Sequence, residues 1–342
     1  MLHTLRGFFV FAATLLCSFS AFAEPAASEL VVYSGRSRSL VDPLLRRFEK
    51  ETGIRVRVQY GNTAQLALTL LEEGGKSPAD IFWAQDAGAL GAVTDAGNLE
   101  EGLFSKLRKK LTSPIPQNLR NDEGTWIPTS GRARLLAYSS KRVSAEDLPA
   151  SVFDLTDPKW KGRVGWAPTN GSFQTFVTAM RVKLGEQKTK NWLLGMKKNG
   201  AKKYAKNTPI IQALAAGEID VGLPNHYYLL RFKKNDSEFP VEQVFFSAPG
   251  DIGNLINVAG VGVLKSSKNR ANAIRFVEFL LSAGSQSYFT NEVFEFPVNN
   301  SVKPHPRLVP LSEIDKISPK VDLDALMDLE GTLKLLRETG LI

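Results

Sequence analysis

Short apolar runs alternating with amphipathic helical periods, each pair divided by a glycine-bearing turn, restrict this chain to an α/β fold. Leu30-Val31-Val32-Tyr33 has strand length and is followed by the loop Ser34-Gly35-Arg36-Ser37. Leu40, Val41, Leu44, Leu45 and Phe48 then recur at helical spacing up to Thr52, and Gly53 stands where a helix C-terminus wants a left-handed residue. Ile54-Arg55-Val56-Arg57-Val58 alternates as a second strand, and Gln65 to Glu73 reads as a helix stopped by Gly74-Gly75. Ala79 to Trp83 is a third strand with Gln85 and Asp86 at its C-terminal end, before a helix over Ala89 to Ala96. Such alternation predicts mixed, mainly parallel sheets flanked by helices, with ligands bound beyond the carboxyl ends of the strands.

A second α/β unit begins near Ser130. A strand over Ala133 to Ser139 carries the chain across, and Trp160 to Trp166 leads into the loop Ala167-Pro168-Thr169-Asn170-Gly171-Ser172. A helix over Phe173 to Leu184 would present its free N–H groups near Gly171, which makes the loop either an anion cradle or an ordinary N-cap. Helices are expected near Lys188 to Asn199 and Pro209 to Ala216, and another over Ala271 to Ser282 after a strand at Val258 to Leu264. A closing helix is expected over Leu323 to Thr339, with Gly340 past its end. Lys106 to Lys110 reads as one face of a surface helix.

Met1 to Ala23 has the form of a cleavable export signal, with Arg6 in the n-region, an apolar core from Gly7 to Leu16, and Ala21-Phe22-Ala23 before the cut. The single cysteine, Cys17, falls inside it, so the exported chain has neither a disulfide nor a thiolate metal site. The expected location is the periplasm. The remaining length exceeds what one hydrophobic core usually fills, at roughly 250 to 300 residues, and implies two lobes. The formal charge is +8, with the basic residues dispersed among acids and no nucleic-acid-binding module, so nucleic acid is not an expected partner. Among the three histidines, His3, His226 and His305, none belongs to a nucleophile–base–acid set, and no enzyme is expected.

Asn225-His226-Tyr227-Tyr228, just after the segment Gly217 to Pro224 that reads as a strand entering a loop, is the stretch with most chemical promise. Successive side chains on an extended backbone point to opposite sides, so the tyrosines can meet one ligand only where a helix or kink begins. A helix opening at Tyr227 would fan out two phenols that a trivalent metal could ionise and bind as hard anions. The alternative is an aromatic pair packed under a helix, each hydroxyl with one partner.

The ordered strings Tyr33-Ser34-Gly35, Phe48 to Ile54, Pro78 to Phe82, Ser130-Gly131-Arg132-Ala133-Arg134, Pro158 to Gly162, Tyr204 to Asn207 and Asn225 to Tyr228 together carry a resemblance. The chain resembles the ferric-ion-binding periplasmic proteins of bacterial ABC importers, a group of the two-lobed type II solute-binding proteins. The resemblance spans nearly all of the chain after the export signal. It implies an N-lobe of residues 24–129 plus about 258–300 and a C-lobe of 130–257 plus about 301–342. Crossover hinge strands would lie near Ile127 to Ser130 and Asn257 to Gly260. It implies Fe(3+) as ligand, held by Tyr227 and Tyr228 with a synergistic anion such as carbonate or phosphate. Asn170, Gly171, Ser172, Asn207 and Asn225 match its anion contacts. Arg132 and Arg134 match a Gly-Arg-x-Arg pair near the cleft, one facing the anion and the other at the surface or hinge. The implied partners of this monomer are an ABC permease and ATPase.

Departures from the group's pattern are specific. Ser37 stands where some relatives supply histidine, in a cleft loop with Ser34 and Arg36. Gln85 stands where some supply glutamate, with Asp86 beside it, and either residue is a candidate further ligand. Ser172 occupies the place of a third tyrosine. These departures keep a second possibility open: a binding protein for an organic or phosphorus-containing anion on the same fold.

Overall fold

The structure is a computed structural model that describes residues 29–95, 102–116, 119–121 and 123–342. The expected export signal lies outside the described residues. Ten strands form two five-stranded sheets: β1 (Glu29–Ser34), β2 (Arg55–Tyr60), β3 (Ile81–Ala84), β4 (Trp126–Ala133), β5 (Leu136–Ser139), β6 (Val164–Trp166), β7 (Lys202–Lys203), β8 (Val221–Gly222), β9 (Val241–Val244) and β10 (Ile256–Val263). Their orders are β2-β1-β3-β10-β4 and β7-β6-β8-β5-β9. Each sheet holds two parallel and two antiparallel pairings, so both are mixed.

The first lobe follows the sequence closely. Helix α1 (Arg38–Thr52) buries Leu40, Val41, Leu44, Leu45 and Phe48, and Gly53 closes it at φ 70° with its N–H on the Glu49 carbonyl. Helix α2 (Thr63–Glu73) is capped by the Asn62 side chain, and α3 (Ala87–Asp95) follows β3 directly. Phe48, Trp83, Phe276 and Phe289 meet edge-on or tilted at 5.0–6.4 Å in the core of this lobe. Strands β4 and β10 pair antiparallel, with Asn257 opposite Arg132 and a register shift at Ala259/Gly260. Both run on from the first lobe into the second, where the crossover strands were expected.

The second lobe packs α5 (Gly171–Leu184) and α6 (Glu186–Lys198) over a cluster of Trp166, Phe173, Phe176 and Trp192, with ring centroids 5.6–6.4 Å apart. Beyond these come α7 (Asn207–Ala216) and α8 (Tyr227–Asn235), and then α9 (Arg270–Leu281) back against the first lobe. Two expectations are corrected. The basic stretch Lys106 to Lys110 is not one helix: only Lys109–Thr112 turns helical, because Ser105 and Leu107 donate their N–H groups to Val263 and Gly124. The closing helix is also broken. Asp324–Met327 forms a 3-10 turn, and a helix resumes over Leu329–Glu338 with the Asp328 side chain accepting the Gly331 N–H. The turn seats itself on α3, where Gly88 and Gly91 leave room: an added Cβ would come within 2.7 Å of the Leu326 carbonyl oxygen and 2.9 Å of Met327 Cβ.

Gly262 on β10 lies under the Phe104 ring, and an added Cβ would sit 2.4 Å from it. Gly262→Val is therefore expected to destabilise the protein by about 1–3 kcal/mol through overpacking. Thermal or urea unfolding monitored by tryptophan fluorescence checks this, and an unchanged midpoint contradicts the packing described here.

Candidate functional site

The end of β8 is tied to the crossover strand before the tyrosines begin. Arg134 and Asn225 form a backbone bridge, and the His226 N–H donates to the Ala133 carbonyl at 3.0 Å. The imidazole Nδ1 accepts the Ala133 N–H at 3.1 Å, which leaves Nε2 to donate to the Phe294 carbonyl at 2.8 Å. Burial holds this histidine neutral, with its pKa lowered to about 4. His226 is thus a buried strut between the end of β4 at Ala133 and the Phe294 carbonyl, the structural role most lone histidines have.

Helix α8 opens at Tyr227 as expected, but the phenols do not fan apart. Their rings stack, centroids 4.3 Å apart and planes at 29°. Tyr227 is fully buried and its hydroxyl has no hydrogen-bond partner. Burial first, then the neighbouring Tyr228 and Glu295, push its pKa well above 10, while Arg36 and Arg132 pull it down. Tyr228 lines a cleft of about 570 Å³ with Arg36, Ser37, Gln85, Asn170, Gly171 and Thr208. A larger depression of about 660 Å³, lined by Thr94, Lys106, Glu123 and Asp324 among others, contains none of the expected site residues.

The buried guanidiniums of Arg36, Arg132 and Arg134 and the buried Glu295 carboxylate act on the Tyr227 phenol, and the buried Asp86 carboxylate acts on Arg132. Arg36 Nη2 donates to both Glu295 oxygens at 2.9 and 2.7 Å, and Ser130 Oγ donates to Glu295 Oε2 at 2.5 Å. Burial opposes the Arg36 charge, yet Glu295 and the phenols outweigh it and raise its pKa. Arg36 Nε and Nη1 have no acceptor. Arg132 is 1% exposed, and neither Nη1 nor Nη2 meets an acceptor. Burial lowers its pKa, countered by Tyr227 and Asp86.

Arg134 differs. It donates to the Leu223 carbonyl at 2.6 Å and the Ser172 carbonyl at 2.8 Å, and lies over the Phe173 and Phe176 rings at 5.4 and 5.0 Å. Burial and the Arg132 charge lower its pKa to about 9. Of the expected surface or hinge place for one arginine of the pair, the surface half is corrected: both are buried, and Arg134 directly follows β4 and bonds into the second lobe's framework.

At the start of α5 the Asn170 side chain accepts the Ser172 N–H at 3.1 Å and the Ser172 hydroxyl at 2.7 Å, so it is an N-cap. Asn225 Nδ2 donates to Ser172 Oγ at 3.2 Å. Asn207 opens α7 fully buried, its amide oxygen and nitrogen both without partners. Asp86 caps α3 through Oδ1, which accepts the Ala89 N–H at 2.9 Å and the Thr175 hydroxyl at 2.6 Å. Its Oδ2 has no partner, and burial raises its pKa against the Arg132 charge. Ser34 turns its hydroxyl onto the Arg36 N–H at 3.2 Å. The lobes touch directly here, through Thr175 to Asp86 and through Asn62 Nδ2 to the Thr169 carbonyl at 2.8 Å.

Sequence reasoning missed Glu295. An acid between Phe294 and Phe296 is the available signal, since a carboxylate in an apolar run needs a buried partner. That partner lies 259 residues away. Phe294 itself takes a left-handed backbone, φ 63°, which turns the chain so that its carbonyl reaches His226.

Residues 76–316 match the family of bacterial extracellular solute-binding proteins. This chain belongs to that family. It is 34% identical over 328 residues to the major ferric iron-binding protein of Neisseria meningitidis, covering 96% of this chain and 97% of the relative. It is 31% identical to the Fe(3+)-binding periplasmic protein of Serratia marcescens over 97% of this chain and 96% of that one. The crystal structure of iron-bound HitA from Pseudomonas aeruginosa superposes with a TM-score of 0.84 at 33% identity, over 92% of this chain and 99% of HitA. The two-lobed type II architecture expected from the sequence is the fold of these neighbours.

The lowered His226 pKa fixes a stability change with a definite sign. The unfolded histidine takes up its proton near pH 6.5, whereas the folded one resists until about pH 4. Its contribution is complete above about pH 6.5 and is lost as pH falls toward 4, amounting to roughly 3 kcal/mol. His226→Gln, which keeps one acceptor and one donor, is expected to lose that much less stability between pH 7 and pH 4 in denaturant titrations. Parallel losses in both proteins contradict a neutral buried histidine.

Proposed function

We propose that this protein is the periplasmic binding component of an ABC importer, capturing ferric iron between its lobes and delivering it to a membrane permease and its ATPase. The observation that supports this most is the stacked tyrosine pair at the cleft, with one hydroxyl fully buried and unpartnered beside two guanidiniums. A buried hydroxyl without a hydrogen bond is unfavourable by about 1–3 kcal/mol. A ferric ion relieves that deficit by displacing the phenol proton and bonding to the oxygen. Among the described residues no three His, Cys, Asp or Glu side chains converge, so the cation would depend on phenolate oxygen.

Charge bookkeeping supports a co-bound anion. Arg36, Arg132 and Arg134 against Glu295 and Asp86 leave one surplus positive charge. A ferric ion with two phenolates adds one more, and a divalent oxyanion such as carbonate or phosphate balances the site. In this reading Arg132 offers the planar fork for it, and Asn170, Gly171, Asn207 and Asn225 are the further anion contacts, of which Asn170 and Gly171 line the cleft. Arg134 acts from behind, fixing Ser172 and Asn225. Ser37 and Gln85 line the cleft where the remaining coordination positions open.

Capture is a closure without covalent chemistry. The lobes rotate about β4 and β10 and meet through contacts such as Thr175–Asp86 and Asn62–Thr169. Water leaves the cleft, and the phenolates hold the ion more firmly as local dielectric falls. Because each phenol must lose a proton, retention weakens as pH falls. In this reading the residues assigned to the first lobe, 24–129 with about 258–300, close on those of the second, and the monomer is the working unit.

Titration of the purified exported chain with ferric citrate is expected to produce a visible phenolate-to-iron absorption band. Tyr227→Phe and Tyr228→Phe should each remove most of it, with the bound iron lost at a higher pH than in the parent. A parent protein that binds iron without such a band overturns the tyrosine assignment. A second reading, capture of an organic or phosphorus-containing anion alone, draws on the unpartnered Arg132 and Asn207 side chains. It predicts tight anion binding, no band, and equal behaviour of the tyrosine variants.

A further inference from the structure

Asp86 holds a buried carboxylate oxygen directly behind Gly171, a residue that lines the cleft. It is 1% exposed, and its two oxygens have different fates. Oδ1 is saturated by the Ala89 N–H and the Thr175 O–H, at 2.9 and 2.6 Å. Oδ2 has no donor. It lies against Gly171, the first residue of the fourteen-residue helix α5, so closely that a Cβ there would sit 3.0 Å from it. Gly171 in turn lines the cleft. Arg132 supplies the complementary deficit: it is buried, its charge acts on Asp86, and both its terminal nitrogens lack acceptors. The two groups nevertheless form no ion pair with each other. An unmet donor fork and an unmet acceptor oxygen thus belong to one buried charge cluster behind the cleft wall.

An oxyanion with no hydrogen meets this arrangement badly. Its oxygens suit Arg132 and the α5 N-terminus, but the one facing Asp86 sets acceptor against acceptor in a water-poor space. An oxyanion carrying an acidic O–H satisfies both sides, because its P–O–H or C–O–H donates to Asp86 Oδ2 while its bare oxygens accept from Arg132. We infer that Asp86 makes this cleft selective for protonated divalent oxyanions, of the hydrogenphosphate or hydrogenarsenate kind, over fully deprotonated ones such as sulfate and selenate. The inference rests on the cleft's being an anion site, and it does not need iron: Asp86 acts as a specificity residue toward the anion, not as a metal ligand.

Asn is the informative replacement. Asp86→Asn keeps Oδ1 as the α3 cap and as acceptor for Thr175, and turns the orphan oxygen into an N–H donor. The test uses metal-free exported protein and reads thermal stabilisation and calorimetric binding of inorganic phosphate, arsenate, sulfate and selenate at neutral pH. The parent is expected to bind phosphate and arsenate at least about tenfold more tightly than sulfate and selenate, the factor that one uncompensated buried acceptor implies. Asp86→Asn should bring the two classes to within about threefold, mainly by a gain in sulfate affinity.

Equal binding of both classes by the parent overturns the inference, and so does failure of the parent to bind phosphate or arsenate at all. A preference that survives unchanged in Asp86→Asn overturns it as well. Should that variant lose its fold, the parent's phosphate–sulfate and arsenate–selenate ratios still decide, since each pair matches size and shape and differs in the proton. The iron reading is tested separately by the absorption band, so a cleft that binds iron without anion selectivity removes this inference alone.

Discussion

Three guanidinium groups lie buried where the two lobes meet, and most of the surrounding structure answers their charge. Each is expensive to remove from water unless something replaces the lost solvation. Arg36 receives a bidentate carboxylate from Glu295, which Ser130 steadies from the crossover strand. Arg134 receives carbonyl oxygens from Leu223 and Ser172 and the faces of two phenylalanine rings. Arg132 receives no acceptor at its terminal nitrogens. Arg134 is the cation most fully met by the protein; Arg36 is anchored through Nη2 alone, and its Nε and Nη1, like both terminal nitrogens of Arg132, are the donors that the proposed reading leaves for a ligand.

The same distinction runs through the tyrosine pair and the loops around it. His226 is fully bonded and neutral, joining the helix that begins with Tyr227 to the Ala133 and Phe294 backbone. That rigidity fixes where the phenols stand, while the Tyr227 hydroxyl itself is left unmet. A protein that invests so much hydrogen bonding in the support of two phenols and leaves one of their oxygens bare has a site organised in advance of its cargo. In the proposed reading, closure needs little rearrangement at the ligand and falls chiefly to the β4 and β10 crossover.

Much of this was legible in the sequence wherever the physics is local. The five apolar positions of α1 and the glycine that ends it follow from helical period and left-handed backbone alone. The start of α8 at Tyr227 was legible only as a condition, since two adjacent side chains can share a ligand only where a helix or kink begins. The loop at Asn170 was readable as either a cap or an anion cradle, and the structure shows the cap, with Gly171 beside it at the cleft. The closing helix was misread because apolar spacing continues across Asp328, whereas the chain breaks there to seat Leu326 and Met327 on the glycines of α3. Glu295 and the separate fates of Arg132 and Arg134 were not legible. Each depends on a partner distant in sequence, and no period or spacing encodes a contact made only when two lobes come together.

The central claim is that phenolate oxygens of Tyr227 and Tyr228 hold the cargo, and resonance Raman spectroscopy of the iron-loaded protein tests it most directly. With excitation in the visible band, the account predicts enhanced tyrosinate ring vibrations that shift when the protein is grown with ring-deuterated tyrosine and disappear in Tyr227→Phe/Tyr228→Phe. A loaded protein whose enhanced vibrations are insensitive to tyrosine labelling would contradict it, and would place the ion on other groups of the cleft.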